Sequence, residues 1–91
     1  MNKQELIGSV AEVTGLSRSD AVKAVEGVFD IISERLQRGD EVRLVGFGTF
    51  TVSKRKASTG RNPRTGEPMK IAASSQPKFK PGKNLKDAVN V

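Results

Sequence analysis

Ninety-one residues, with 35% hydrophobic side chains and four aromatics that are all Phe, make one small domain with a limited core of its own. The absence of Cys and His excludes a disulfide frame, thiolate or imidazole metal sites and most nucleophile–base pairs. The net charge is +6 but unevenly spread: residues 1–50 carry six basic and eight acidic side chains, residues 51–91 ten basic and two acidic, Glu67 and Asp87.

Asn2, with Glu5 three residues on, predicts a capped helix over about 3–14, with Leu6, Ile7, Val10 and Ala11 at helical spacing. Thr14-Gly15 ends it. Ser17 with Asp20 opens a second helix over 18–38, closed by Gly39. This second helix has a wide apolar arc. Val22, Val25, Phe29, Ile32 and Leu36 form one row, and Ala21, Ala24, Val28 and Ile31 a second beside it. One row is enough to cover the first helix. Two rows in so short a chain predict a sheet and a second copy as cover, so the helices read as the core of a dimer. The pair has a helix–turn–helix outline, but its second helix is too apolar near the start to read a major groove, where recognition helices expose polar residues.

Residues 41–45 alternate and predict a strand; Gly46-Phe47-Gly48 predicts a turn with a buried aromatic. Thr49 to Lys56 continues as a strand. From Lys54 to Ser75 large apolar residues nearly vanish, leaving only Met69 and Ile71. That segment has no core to pack and predicts a two-stranded ribbon projecting from the body. Val52 to Arg61 would reach roughly 30 Å at strand rise. Pro68 suits it, because a two-stranded ribbon is all edge. At its centre Asn62-Pro63 predicts a type I turn, flanked by Arg61 and Arg64 and by Gly60 and Gly66. Residues 76–80 return the chain with Phe79 as anchor, Pro81-Gly82 breaks the strand, and 83–89 form a short last helix. Phe47, Phe50 and Phe79 are the expected aromatic core. The fold class is therefore α+β: a helical dimer core, a small antiparallel sheet, one protruding ribbon arm per subunit and a short C-terminal helix. The single domain divides into a body with the start of the sheet (1–50), an arm (51–76), and a return strand with the last helix (77–91).

The basic half reads as a footprint for a polyanion. Lys54, Arg55 and Lys56 lead into the ribbon, and Lys70, Lys78, Lys80, Lys83 and Lys86 follow its tip. The minor groove of DNA is only about 6 Å wide, so a ribbon enters it only where the duplex opens and bends. A rigid apolar wedge such as Pro63 suits that work: the cost of unstacking is offset by wrapping more cationic surface. Duplex DNA, RNA and an acidic protein are the three partner classes. The deep, narrow major groove of A-form RNA offers such a ribbon less purchase. Catalysis finds no support. Pro81-Gly82-Lys83 imitates the end of a phosphate loop, but Asn84 stands where Ser or Thr is needed and Pro77 where the earlier Gly belongs. The expectation is no enzyme activity, no cofactor and no metal. No apolar run nears the roughly 20 residues that span a bilayer, and Met-Asn-Lys-Gln-Glu lacks a signal-peptide pattern, so no membrane partner and a cytoplasmic place are expected.

The run Gly46-Phe47-Gly48-Thr49-Phe50, followed by Arg55, Ser58, Gly60, Arg61, Asn62, Pro63 and Thr65, resembles the signature of the bacterial HU and integration host factor family. The resemblance covers the whole chain, and members of this family are themselves standard examples of minor-groove benders. It implies an intertwined dimer with two β-arms, each ending in an intercalating proline, here Pro63, with Arg61 and Asn62 beside it in the groove. It also implies that Arg55 and Lys70 line the arm, and that Lys3, Lys83 and Lys86 hold phosphates on the body. Arms of this family often carry an arginine where Ser58 stands. The short ends, from Met1 to Val91, resemble the HU branch: most simply a homodimer, with a related second subunit as the alternative. The implied role is architectural DNA binding in the bacterial nucleoid, largely independent of sequence, with preference for bent, nicked or distorted duplex.

Overall fold

The computed structural model describes residues 1–90, with Ile71 described by its backbone alone. The chain forms two compact units, Met1–Arg35 and a second from Leu36 onward.

The first unit is helical. Helix α1 (Lys3–Thr14) is capped as its sequence dictates: Asn2 Oδ1 accepts from the Glu5 amide at 2.9 Å, and Gly15, at φ 75°, ends the helix in the left-handed region. Helix α2 (Arg18–Gln37) begins where Ser17 Oγ accepts from the Asp20 amide at 3.2 Å. The two meet through Ile7, Ala21 and Val25, the only buried hydrophobic residues among those described, with Leu6, Val10, Ala11 and Val22 packed around them. Ala24, Val28, Phe29 and Ile31 of the α2 arc lie open in the single chain, Val28 being 53% exposed and Ile31 57%. Leu6, Val10, Ala24, Val25, Val28 and Phe29 line an apolar groove of about 260 Å³.

The second unit is built on an antiparallel sheet in the order β1-β2-β5, from β1 (Val42–Leu44), β2 (Gly48–Arg55) and β5 (Ser74–Pro81). A separate two-stranded ladder joins β3 (Ser58–Arg61) to β4 (Pro68–Ile71), and helix α3 (Lys83–Val89) follows β5. Pro77 and Pro81 lie in β5, an edge strand that pairs with β2 alone, where proline is tolerated. The turn between β1 and β2 closes with the Phe47 amide on the Leu44 carbonyl at 2.9 Å, and Gly46 supplies the positive φ of 84°. Gly48 is buried against the next strand. A Cβ there would lie 2.5 Å from the Phe79 ring and 2.7 Å from the Lys80 carbonyl oxygen, so only glycine fits.

Three details differ from the sequence reading. The expected buried aromatics do cluster, Phe79 lying 5.5 Å from Phe47 and 4.8 Å from Phe50 between ring centroids. Yet Phe47 stays 48% exposed and Phe79 41%, because a three-stranded sheet with one short helix has too little mass to cover the cluster. The ribbon is not continuous from Val52: Lys56–Ala57 and Ala72–Ala73 belong to neither ladder. The tip is also larger than a type I turn, as described next.

Candidate nucleic-acid interface

Cross-strand partners in an antiparallel ladder point to the same face, and the register sorts the charges of the sheet. Arg43, Thr49 and Lys80 form one row across three strands; Thr51 pairs with Lys78, Ser53 with Gln76, and Arg55 with Ser74. These side chains make one face, wholly polar and carrying four cations. The opposite face holds Val42, Phe50 and Phe79 in one row, then Val52 with Pro77 and Lys54 with Ser75. Strand alternation has thus divided the second unit into a packing face and a cationic face.

Arg43 and Lys78 belong to that cationic face; Lys78 was expected only as one of the cations that follow the tip, and Arg43 not at all. The alternation of 41–45 and the return strand carried the signal, but only a strand register shows that they join Lys80 and Arg55. Arg43 Nε lies 3.9 Å from the Glu41 carboxylate, a loose and exposed pair. Lys54 stands apart from the other arm cations. It is on the packing face, where it lines a crevice of about 240 Å³ with Leu36, Gln37, Arg38, Gly39, Val52 and Ser75. A cation there faces the C-terminal end of α2, which favours positive charge.

Farther out, Lys56 lies in the gap between β2 and β3, exposed to solvent. In the distal ladder Thr59 pairs with Lys70 and Arg61 with Pro68, so Arg61 and Lys70 share a face. The tip runs from Asn62 to Glu67. The Gly66 amide donates to the Asn62 carbonyl at 2.7 Å, closing a five-residue turn, and the Asn62 amide donates to the Glu67 carbonyl at 2.8 Å. Inside it, Asn62 Oδ1 accepts from the Arg64 amide at 2.8 Å and Thr65 Oγ1 from the Glu67 amide at 3.3 Å. The Asn62 side chain draws the chain inward, and Gly66, at φ 72°, lets it turn one residue later than a type I turn would. Pro63 is exposed at the outer end, its missing amide costing the turn nothing, with Arg61 and Arg64 exposed on either side.

Lys83 and Lys86 lie one turn apart on α3, on the same side of the helix. The Gly82 amide donates to the Phe47 carbonyl at 2.8 Å, which ties the start of α3 to the β1–β2 turn. Lys3, in the first unit, is ion-paired with Glu26 at 2.5 Å. The described residues contain no group of three or more acidic or imidazole and thiol side chains able to hold a metal, and no helix long and apolar enough to cross a membrane.

Residues 1–90 match the family model of bacterial DNA-binding proteins. The chain belongs to that family. It is 63% identical over 89 residues to the DNA-binding protein HU of Geobacillus stearothermophilus, covering 98% of this chain and 99% of the relative. It is 58% identical to the DNA-binding protein HU 1 of Bacillus subtilis strain 168, covering 98% and 97%. Among solved structures, an Anabaena HU–DNA cocrystal structure matches with a TM-score of 0.86 at 42% identity, covering 98% of this chain and 97% of that one. HU from Thermotoga maritima matches at 0.69 and 34% identity, covering 98% of each. The α+β fold expected from the sequence is that of these HU structures, and the family is one of DNA-binding proteins rather than enzymes.

Proposed function

We propose that the protein acts as a dimer whose two ribbons enter the minor groove of duplex DNA, with Pro63 wedged at a base step and the duplex bent around the cationic surfaces. The observation that carries this reading is the ribbon tip. An exposed proline stands between two exposed arginines at the end of a segment that packs no core, held by a turn with four hydrogen bonds. Arg61 and Lys70 on one ribbon face, and Arg43, Arg55, Lys78 and Lys80 on the polar sheet face, supply the phosphate contacts. Lys56, Arg64, Lys83 and Lys86 add to them, and Lys3 joins once it leaves Glu26. Such contacts neutralise charge without reading bases, so binding depends weakly on sequence and the protein compacts DNA in the bacterial nucleoid. The Anabaena relative crystallised on DNA supports the same partner.

The dimer is proposed from the open apolar groove of the first unit and the half-exposed phenylalanines of the second, apolar surface that a second copy would cover. A homodimer is the simplest form. In sedimentation at micromolar concentration it should run at twice the chain mass, with a thermal midpoint that rises with concentration; a fully helical monomer would contradict it. The binding mode is tested by competition among intact linear duplex, nicked or pre-bent duplex and double-stranded RNA. The wedge mechanism expects the nicked or bent DNA to bind most tightly, since its distortion is already present. Equal affinity for RNA would favour a general polyanion binder.

A further inference from the structure

The gap in the ribbon gives one residue an unusual position. The proximal ladder ends at Arg55 opposite Ser74, and the distal ladder begins at Ser58 opposite Ile71. Lys56–Ala57 on one strand and Ala72–Ala73 on the other are unpaired between them. Ser58 is therefore the first rung of a short, two-stranded ladder, and end rungs open before inner ones. It is exposed, and so is every residue from Ser53 to Ala57. Lys54, Arg55 and Lys56 stand four, three and two positions before its hydroxyl.

Those are the requirements of one class of enzyme substrate. A protein kinase takes its acceptor as an extended segment with the hydroxyl free to reach the γ-phosphate of ATP. Kinases with carboxylate-lined clefts select acceptors preceded by a cluster of Lys and Arg. The 54–58 segment offers the cluster, the exposed hydroxyl and a stretch that can be lifted off by opening a single rung. Thr59 is less suited, being one rung further in and paired with Lys70 on the face that carries Arg61.

We propose that Ser58 is a phosphoacceptor for a Ser/Thr kinase that selects basic sequences, and that phosphate there releases the arm from DNA. Ser58 Oγ would attack the γ-phosphorus of ATP. The new Oγ–P bond forms as the bond to the β–γ bridging oxygen breaks, ADP leaves, and the hydroxyl proton passes to the base of the kinase. The product adds a charge of about −1.5 to −2 close in the chain to Arg55 and Lys56. It both neutralises cations that would meet phosphates and repels the DNA backbone itself. The consequence for DNA rests on the function proposed above; the modification does not.

The test uses the full chain, ATP and the purified catalytic subunit of cyclic-AMP-dependent protein kinase as the probe enzyme. Mass mapping should place phosphate on Ser58 in the parent and on none of its neighbours in Ser58→Ala. Phosphate found only on Thr59 or Thr65, or no incorporation, overturns the site. The phosphorylated protein and Ser58→Glu are then titrated on intact duplex beside the parent and Ser58→Ala. Phosphorylation should weaken binding about ten- to a hundredfold and flatten the salt dependence by about one to two units. Ser58→Ala should stay within about twofold of the parent. Unchanged affinity after phosphorylation overturns the regulatory role. Failure of the unmodified parent to bind duplex would count against the DNA function itself, while the mapping would still decide whether Ser58 is the acceptor.

Discussion

The two ladders of the second unit are made of the same strand geometry but held by different means. The proximal one is fixed by packing: Gly48 lets Phe79 press against β2, the Phe79 ring meets Phe47 and Phe50 at a tilt, and the Gly82 amide donates to the Phe47 carbonyl. The distal one has only four rungs and a hydrogen-bonded tip, with no buried residue between Ser58 and Met69. Its side chains are free of packing duties, so they can be chosen for a partner instead. The packed root determines where the ribbon starts, and the unpacked ribbon carries Arg61, Arg64 and Lys70, the cations proposed to meet DNA. A substitution should therefore hurt stability at the root and binding at the tip, and rarely both.

The largest expected effect is at the root. Gly48→Ala forces a methyl group onto the Phe79 ring and the Lys80 carbonyl, and should cost about 1–3 kcal/mol, read as a lower thermal midpoint. At low temperature, where the variant is still folded, DNA affinity should be little changed. A loss of affinity larger than the loss of stability would mean that root and ribbon are not separable.

Next is Pro63→Ala. The tip packs on nothing, so the thermal midpoint should move by less than about 0.5 kcal/mol equivalent. Affinity for intact duplex should fall about tenfold, part of the few kcal/mol that an unstacked step costs. Bending, followed by end-to-end energy transfer, should fall with it, whereas affinity for nicked DNA should hold. If the variant bends intact duplex as the parent does, Pro63 is only a turn former.

Arg61→Ala should weaken binding to intact and nicked duplex alike, since a cation is lost whatever the DNA shape. The slope of log affinity against log salt should flatten by about 0.9. Arg43→Ala should behave in the same way if the polar sheet face touches phosphates, which makes it the sharpest check on the two-faced sheet.

The smallest effect is expected in the first unit. Glu26→Gln breaks an exposed ion pair and should change stability by less than about 1 kcal/mol. It frees Lys3 for phosphate, so affinity should rise a few-fold at low salt and the gain should vanish at high salt. No change at low salt would remove Lys3 from the interface.

Much of this was legible in the chain. Asn2, Gly15 and Ser17 set the helix ends to within a residue, because caps are local hydrogen bonds between near neighbours. The ribbon was visible as a stretch without large apolar residues, and Pro63 as its point. The tip turn was read too small: Asn62-Pro63 fits a type I turn, and the longer closure depends on Gly66 taking a positive φ three residues later. The phenylalanines were correctly grouped, and in the single chain Phe47 and Phe79 stay half-exposed, since composition reports how apolar a residue is and not what covers it.

Capping, periodicity and turn chemistry act over a few residues, so the elements, the uneven charge and the exposed proline at the ribbon tip were written in the chain itself. Which cations stand together was decided only by the tertiary structure. Arg43 and Lys80 are far apart in the chain and share a row, while Lys54 and Arg55 are adjacent and lie on opposite faces. A strand sends successive side chains to opposite sides, and only the pairing register says which side each neighbour takes. The break at Lys56–Ala57, opposite Ala72–Ala73, is of the same kind, since a rung is missing only when two distant segments fail to meet.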